Sequence, residues 1–239
     1  MKSLYESILG STNAGRGSLI RAWLDEHNIR NYTINSKGEI DVDGDVNLAS
    51  KKLESFPSYI QFGVVKGNFF CNWNELTTLK GAPREVGGGF FCAYNSLTTL
   101  EGSPEKVGGD FYCHYNNLTT LEGAPKKIDE EFRCYYNILT SLKGAPLKVK
   151  NFDCNHNKLK TLEGAPKEVD GLFNCSYNEL LSLKGAPLKV KHFDCKSNKL
   201  TSLEGAPRKA RVFSCEQNTT KFTEDDVRKV CKVEKNIYV

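Results

Sequence analysis

The sequence predicts a mainly β solenoid, with one parallel sheet, an extended, polyproline-like return side and a helical cap at the N-terminus. Three observations predict it. Eight cysteines, Cys71, Cys92, Cys113, Cys134, Cys154, Cys175, Cys195 and Cys215, follow one another at spacings of 21, 21, 21, 20, 21, 20 and 20 residues. Each sits in a frame F-x-C-x-x-N-x-L-T-x-L-x-G-A-P, with an asparagine three residues after the cysteine, from Asn74 and Asn95 through to Asn198 and Asn218. Seven of the eight prolines fall in the Gly-Ala-Pro or Gly-Ser-Pro corner, from Pro83 to Pro207. Self-similarity at a fixed period of this length marks a stack of repeated turns, each burying its apolar face on its neighbours.

Each column of the frame has a physical reason. Phe and Cys alternate with period two, so both point to one face of a short strand, and stacked turns place them inside. The asparagine follows where the chain leaves the strand. Its amide tolerates unusual backbone angles and bonds to backbone groups of neighbouring turns. Two leucines, Leu76 and Leu79 in the first copy, point back into the core. Proline fixes its own φ and pushes the preceding residue into an extended conformation, so no helix forms at the far corner. On the return side the single apolar residue, Val86, Val107, Ile128, Val149, Val169 or Val190, closes the core.

This frame resembles the short bacterial type of leucine-rich repeat, L-x-V-x-x-N-x-L-x-x-L-P-x-L-P, as found in effectors of enteric pathogens. Phe and Cys stand for the usual strand apolars, and Gly-Ala-Pro for the Leu-Pro corner. With its N-terminal "WLDEHNIRNYTIN" and "DVDGDVNL" segments, the chain also resembles uncharacterised single-domain repeat proteins of tailed bacteriophages and bacteria. The resemblance implies a leucine-rich-repeat-like fold. It says little about activity, because such scaffolds serve many partners. The effectors can carry a separate ligase domain with a catalytic cysteine, for which about 20 residues after the last repeat leave no room.

The ends read as caps. Residues 1–45 form an N-terminal helical and hairpin cap, 46–218 the solenoid, and 219–239 a C-terminal cap. Leu19, Ile20, Trp23, Leu24 and His27 share one helical face, with Ser18 as N-cap. "NYTINSKGEIDVDG" reads as two strands around a Ser-Lys-Gly turn. Val46, Leu48, Leu53 and Phe56-Pro57 form a degenerate first turn, in which Lys51 replaces the asparagine. Thr223 caps a short helix over Val227, Val230 and Cys231, and "NIYV" ends in a strand. A further short helix is expected within residues 1–10.

The chain has 239 residues, 39% hydrophobic and 26% charged, with a net charge of +4. That charge is too small to argue for a dedicated nucleic-acid binder. No apolar run of signal-peptide or transmembrane length occurs, which points to a cytoplasm, the host's if the chain is phage-encoded. Thiols are then reduced by default. The ladder cysteines read as small hydrophobes in a core column rather than as metal ligands, nucleophiles or disulfide halves. No cofactor or metal is expected. "GSTNAGRGS" at 10–18 reads as a flexible connector rather than a phosphate loop, since Arg16 stands where lysine is needed. "DVDGDVN" at 41–47 reads as a turn rather than a calcium loop, since Gly44 is misplaced for one. The four histidines, His27, His114, His156 and His192, assemble no nucleophile–base pair, so a non-enzyme is expected.

The informative positions point outward from the sheet. Between Phe and Cys stand Phe70, Phe91, Tyr112, Arg133 and Asp153; after Cys come His114 and Tyr135; two after Cys come Trp73, Tyr94 and Tyr115. The N-terminal half of this face is aromatic and the C-terminal half polar. A contiguous exposed apolar patch marks an interaction site, and interface anchors are rich in Trp, Tyr and Arg. These ten residues are therefore the candidate partner-binding set on a concave face, with a protein as the partner. The Trp/Tyr column reads equally well as a structural ladder. A small-ligand or nucleic-acid binder that stacks rings on the face, or a component of a larger assembly, is the alternative. A monomer is favoured.

Overall fold

The computed structural model describes residues 13–239. The short helix expected within residues 1–10 lies outside them. A helix runs Asn13–Glu26. The segment read as a flexible connector is therefore helical from Asn13, and Ser18 lies inside the helix rather than capping it. Packing decides this against the poor helix propensity of Gly and Ser. Ile20, Trp23 and Leu24 are buried over the open end of the core, where the Trp23 ring lies 6.4 Å from that of Phe62. Beyond the helix end Asn28 takes the left-handed conformation with φ 56°, a usual stop for a helix.

Strands Tyr32–Ile34 and Ile40–Val42 pair antiparallel, as the hairpin pattern predicts. Every later pairing is parallel. Among the described residues one long sheet has ten strands, from Val46–Asn47 at one edge to Lys232–Tyr238 at the other. Its register is fixed by the repeat: Phe132 pairs with Phe111 on one side and Phe152 on the other.

The return side is extended, and it is also paired. Strands such as Glu85–Val86, Lys106–Val107 and Lys127–Ile128 continue the hairpin as a six-stranded sheet. Lys148–Val149 and Glu168–Val169 form a further pair. The polyproline-like reading of this side therefore gives way to short ladders. Once neighbouring turns are in register, the return backbones meet and exchange hydrogen bonds instead of bonding to water.

The core between the sheets is built as the columns require. The strand phenylalanines are buried and stack from turn to turn, with ring centroids 5.5 Å apart between Phe69 and Phe90 and 5.2 Å between Phe111 and Phe132. All eight ladder cysteines are free and buried, and so is Cys231. Burial pushes the ladder thiols upward, Cys215 to about 12, so they are poor nucleophiles. Several point along the stack, with Cys175 Sγ 3.3 Å from the Asp194 carbonyl of the next turn.

The asparagines form the second internal ladder. Asn116 Nδ2 donates to the carbonyls of Cys113 and Cys92, both at 3.1 Å, and its Oδ1 accepts from the Leu97 N–H at 2.9 Å. The same set recurs at the following turns. At the degenerate first turn Asn74 Oδ1 accepts from Lys51 and Leu53. In "DVDGDVN" the carboxylates serve the same end: Asp41 Oδ1 accepts from the Val64 N–H and Asp45 Oδ1 from that of Asn68. At the far end Thr223 and Asp226 close a capping box on the helix Glu224–Val230, and Val227 is buried beneath it.

Candidate interaction face

Three columns of side chains cover the outer face of the long sheet. The residue two after each cysteine, Trp73, Tyr94, Tyr115, Tyr136, His156, Tyr177, Ser197 and Gln217, has φ between 48° and 58°. Sequence reasoning gave the unusual angle to the asparagine. The structure gives it to the residue before, because the asparagine must keep its amide aimed at two cysteine carbonyls. A left-handed residue with a side chain costs roughly 1–2 kcal/mol. Ring stacking offsets part of this cost. Ring centroids lie 3.7 Å apart for Trp73–Tyr94, 4.4 Å for Tyr94–Tyr115, 4.6 Å for Tyr115–Tyr136, 4.2 Å for Tyr136–His156 and 4.3 Å for His156–Tyr177. The column is thus a continuous ladder of six rings, headed by Trp73 at 56% exposure. Lys196 Nζ stands 6.0 Å from the Tyr177 ring at its other end.

The column between Phe and Cys is half-buried throughout. Phe70 stacks on Phe91 at 4.8 Å, and Phe91 meets Tyr112 edge-on at 5.1 Å. The Arg133 guanidinium lies over the Tyr112 ring at 4.6 Å, and its Nη2 reaches Glu131 at 2.5 Å. The Tyr112 hydroxyl donates to Asp110 at 3.0 Å. Burial first, and the neighbouring carboxylates after it, push that hydroxyl upward, so it stays protonated. Asp153 is also pushed up, by burial, against the hydrogen bonds it accepts from Asn155.

Between these columns His114 is buried at 8% exposure. It stacks on Tyr135 at 4.3 Å and is edged by Tyr94 at 5.6 Å, and its Nδ1 has no hydrogen-bond partner among the described residues. His114 is therefore placed under the rings rather than on the surface. Burial, with the Arg133 charge second, pushes its imidazole down to about 4. An unfolded histidine titrates near 6.5. As pH falls from about 6.5 to about 4, the unfolded chain takes up a proton that folded His114 refuses, so stability declines across that window and is unaffected by this group above it. Melting temperatures of the wild type and of His114→Phe, compared from pH 7.5 to 4, are expected to diverge below pH 6.5, with the variant declining less. Parallel curves would show that His114 is protonated in the fold.

Nine of the ten predicted site residues lie on one surface, and the tenth, His114, supports it. The predicted binding set left out Asp110, Glu131, Asn155 and His156. With Arg133, Tyr135 and Asp153, three of these (Glu131, Asn155 and His156) line a shallow groove of about 520 Å³ at the boundary between the aromatic and polar halves. A signal existed at the position before each Phe, where Asn68, Asp110 and Asn151 recur. They accept from backbone N–H groups one turn on. What the face offers chemically is ring edges, one guanidinium and half-buried carboxylates, a set suited to recognition.

The fold defines a β-solenoid of stacked turns. Comparison of the chain with protein-family models, with curated proteins and with solved structures finds no match. Among the described residues no helix is long and apolar enough to cross a membrane.

Proposed function

We propose that the chain is a non-catalytic interaction module that holds a partner protein on the outer face of its long sheet. The observation that carries this reading is the half-exposed run Phe70, Phe91 and Tyr112, continued by Arg133 over Tyr112 and flanked by the ring ladder. The core is already complete without these side chains, and aromatic residues with arginine are the usual anchors of an interface. Ten strands at about 4.8 Å spacing make a face roughly 43 Å long, enough for a partner footprint of standard size. If the chain is phage-encoded, as its sequence resemblance implies, the partner is a protein of the host, such as one of a defence system.

The alternative, a binder that stacks bases or sugars on the face, is disfavoured by the ladder itself. Its rings already lie against one another and present mainly their edges. A role as a component of a larger assembly uses the same surface.

Affinity capture from the natural host with wild type and with Phe91→Ala/Tyr112→Ala is the test. The double variant is expected to lose capture by about thirtyfold or more per ring. It should lose only about 1–3 kcal/mol of stability, because it gives up two ring contacts, Phe70–Phe91 and Phe91–Tyr112, each worth about 0.5–1.5 kcal/mol. Lys126→Ala and Lys148→Ala, on the return side, should leave capture unchanged. A folded double variant with intact capture would remove this face from the reading.

A further inference from the structure

The return side of the last three turns gathers cations that the sequence scatters. Residues 141–239 carry a net charge of +7, against −3 in residues 1–140. Parallel pairing sets Lys189 beside Lys209, and Lys209 beside Lys232. The Arg211 N–H bonds to the Lys191 carbonyl at 2.8 Å, and the Lys232 N–H to the Arg208 carbonyl at 2.9 Å, so a second row lies next to the first. Like charges directly opposite one another destabilise a sheet.

Earlier turns relieve the same column with carboxylates. Lys106 pairs with Glu85 at 3.8 Å, Lys127 with Asp129 at 3.6 Å and Lys148 with Glu168 at 3.1 Å. In the last three turns one carboxylate, Glu234, pairs with Lys209 at 2.6 Å. Its carboxyl is held low by that bond first, with Arg211 and Lys232 adding to it. Among the described residues Lys189, Lys191, Arg208, Arg211, Lys232 and Lys235 form no ion pair. A shallow groove of about 670 Å³ runs alongside, edged by Lys167, Lys189 and Lys191 and, on its N-terminal side, by Glu168 and Asp170.

We propose that this basic end of the return side binds the phosphodiester backbone of double-stranded nucleic acid without reading its sequence. The cations stand in rows on a paired ladder rather than around one pocket, which suits a ligand whose charge repeats. Neighbours across strands are about 4.8 Å apart, and alternate residues along a strand about 6.6 Å. A duplex offers a phosphate for every 3.4 Å or so of each strand. No tyrosine, tryptophan or phenylalanine of the ring columns faces this side, so bases are not stacked as in single-strand binders. The exposed large apolar side chains near these cations, Leu188, Leu147 beside Lys167 and Val230 near Lys232, stand singly and do not make the apolar face that a membrane surface requires. The surface is separate from the ring-lined face, and each can fail without the other.

The test is fluorescence anisotropy of two labelled duplexes of unrelated sequence, titrated with the full chain between about 50 and 200 mM salt. Equal affinity for both is expected. With four to five phosphates neutralised, the slope of log K against log salt should be near −4, or about −0.9 per contact. Lys191→Glu with Arg211→Glu should weaken binding at least about tenfold at the low salt. Lys37→Glu with Lys80→Glu, the same change in net charge on the N-terminal half, should leave it within about twofold. Both variants should melt with the wild type, since the first also relieves repulsion. Absence of binding at low salt, equal losses in the two variants, or equally tight and equally variant-sensitive binding to phosphatidylserine vesicles or to poly-glutamate would overturn the assignment.

Discussion

Asn137→Ala is expected to cost about 4 kcal/mol of unfolding free energy, far more than its three lost side-chain heavy atoms suggest. Asn137 is buried at 8% exposure. Its Nδ2 donates to the carbonyls of Cys134 and Cys113 at 3.1 Å, and its Oδ1 accepts from the Leu118 N–H at 3.0 Å. Alanine leaves the Leu118 N–H without a partner where water does not reach it, and takes one of two amide donors from each cysteine carbonyl, which keep Asn116 and Asn157. A buried group left unsatisfied costs about 1–3 kcal/mol, and each further hydrogen bond lost about 0.5–1.5 kcal/mol. Asn137→Asp keeps the acceptor for Leu118 but sets a carboxylate against two carbonyls, so it should be no better than alanine. Asn117→Ala, one surface position from the previous ladder member, should stay within about 0.5 kcal/mol. Chemical denaturation of the three variants decides it. A cost for Asn137→Ala near that of Asn117→Ala would mean that water replaces the amide and the ladder is ornamental to stability.

Gly144→Ala is expected to cost about 3–5 kcal/mol. Gly144 has φ 93°, where a side chain brings strain of about 1–3 kcal/mol. A Cβ there would also fall 2.4 Å from the Leu121 carbonyl oxygen and 2.5 Å from the Glu122 nitrogen of the turn below. Neither backbone atom can yield without breaking the Leu121 N–H bond to the Lys143 carbonyl, and overpacking of this kind costs about 1–3 kcal/mol more. Gly44 separates the two effects. Its φ is 143° and a Cβ would meet nothing within 4 Å, so Gly44→Ala should show the strain alone. Equal losses at the two sites would mean that the corner opens to admit a methyl group.

The same two ladders show how much was legible beforehand. The period named the asparagine and the Gly-Ala-Pro corner as fixed positions, and the short amide gave the reason for the first; that the corner glycine needs a backbone without Cβ came with the structure. The period did not give the conformation of the residue between cysteine and asparagine. Trp73, Tyr94 and Tyr115 are β-formers by propensity, yet they sit in the left-handed region because the amide beside them is held to two carbonyls. The stability of that choice comes from contacts twenty residues away.

The candidate face divides in the same manner. Phe70, Phe91, Tyr112 and Arg133 could be read as outward from the alternation with Phe and Cys. The burial of His114 could not, since it depends on Tyr135 of the next turn closing over it at 4.3 Å.

By itself the sequence determined that turns stack, which columns fill the core and where the corners fall, because each follows from one residue's own stereochemistry repeated at a constant period. The tertiary structure alone decided that the return side pairs into short sheets, that six rings form one ladder, and that Lys189, Lys209 and Lys232 stand side by side. Those are relations between turns. They are set by the register of one backbone on the next, and a shift of a single residue in that register would leave every column intact in the sequence and separate every one of those neighbours in space.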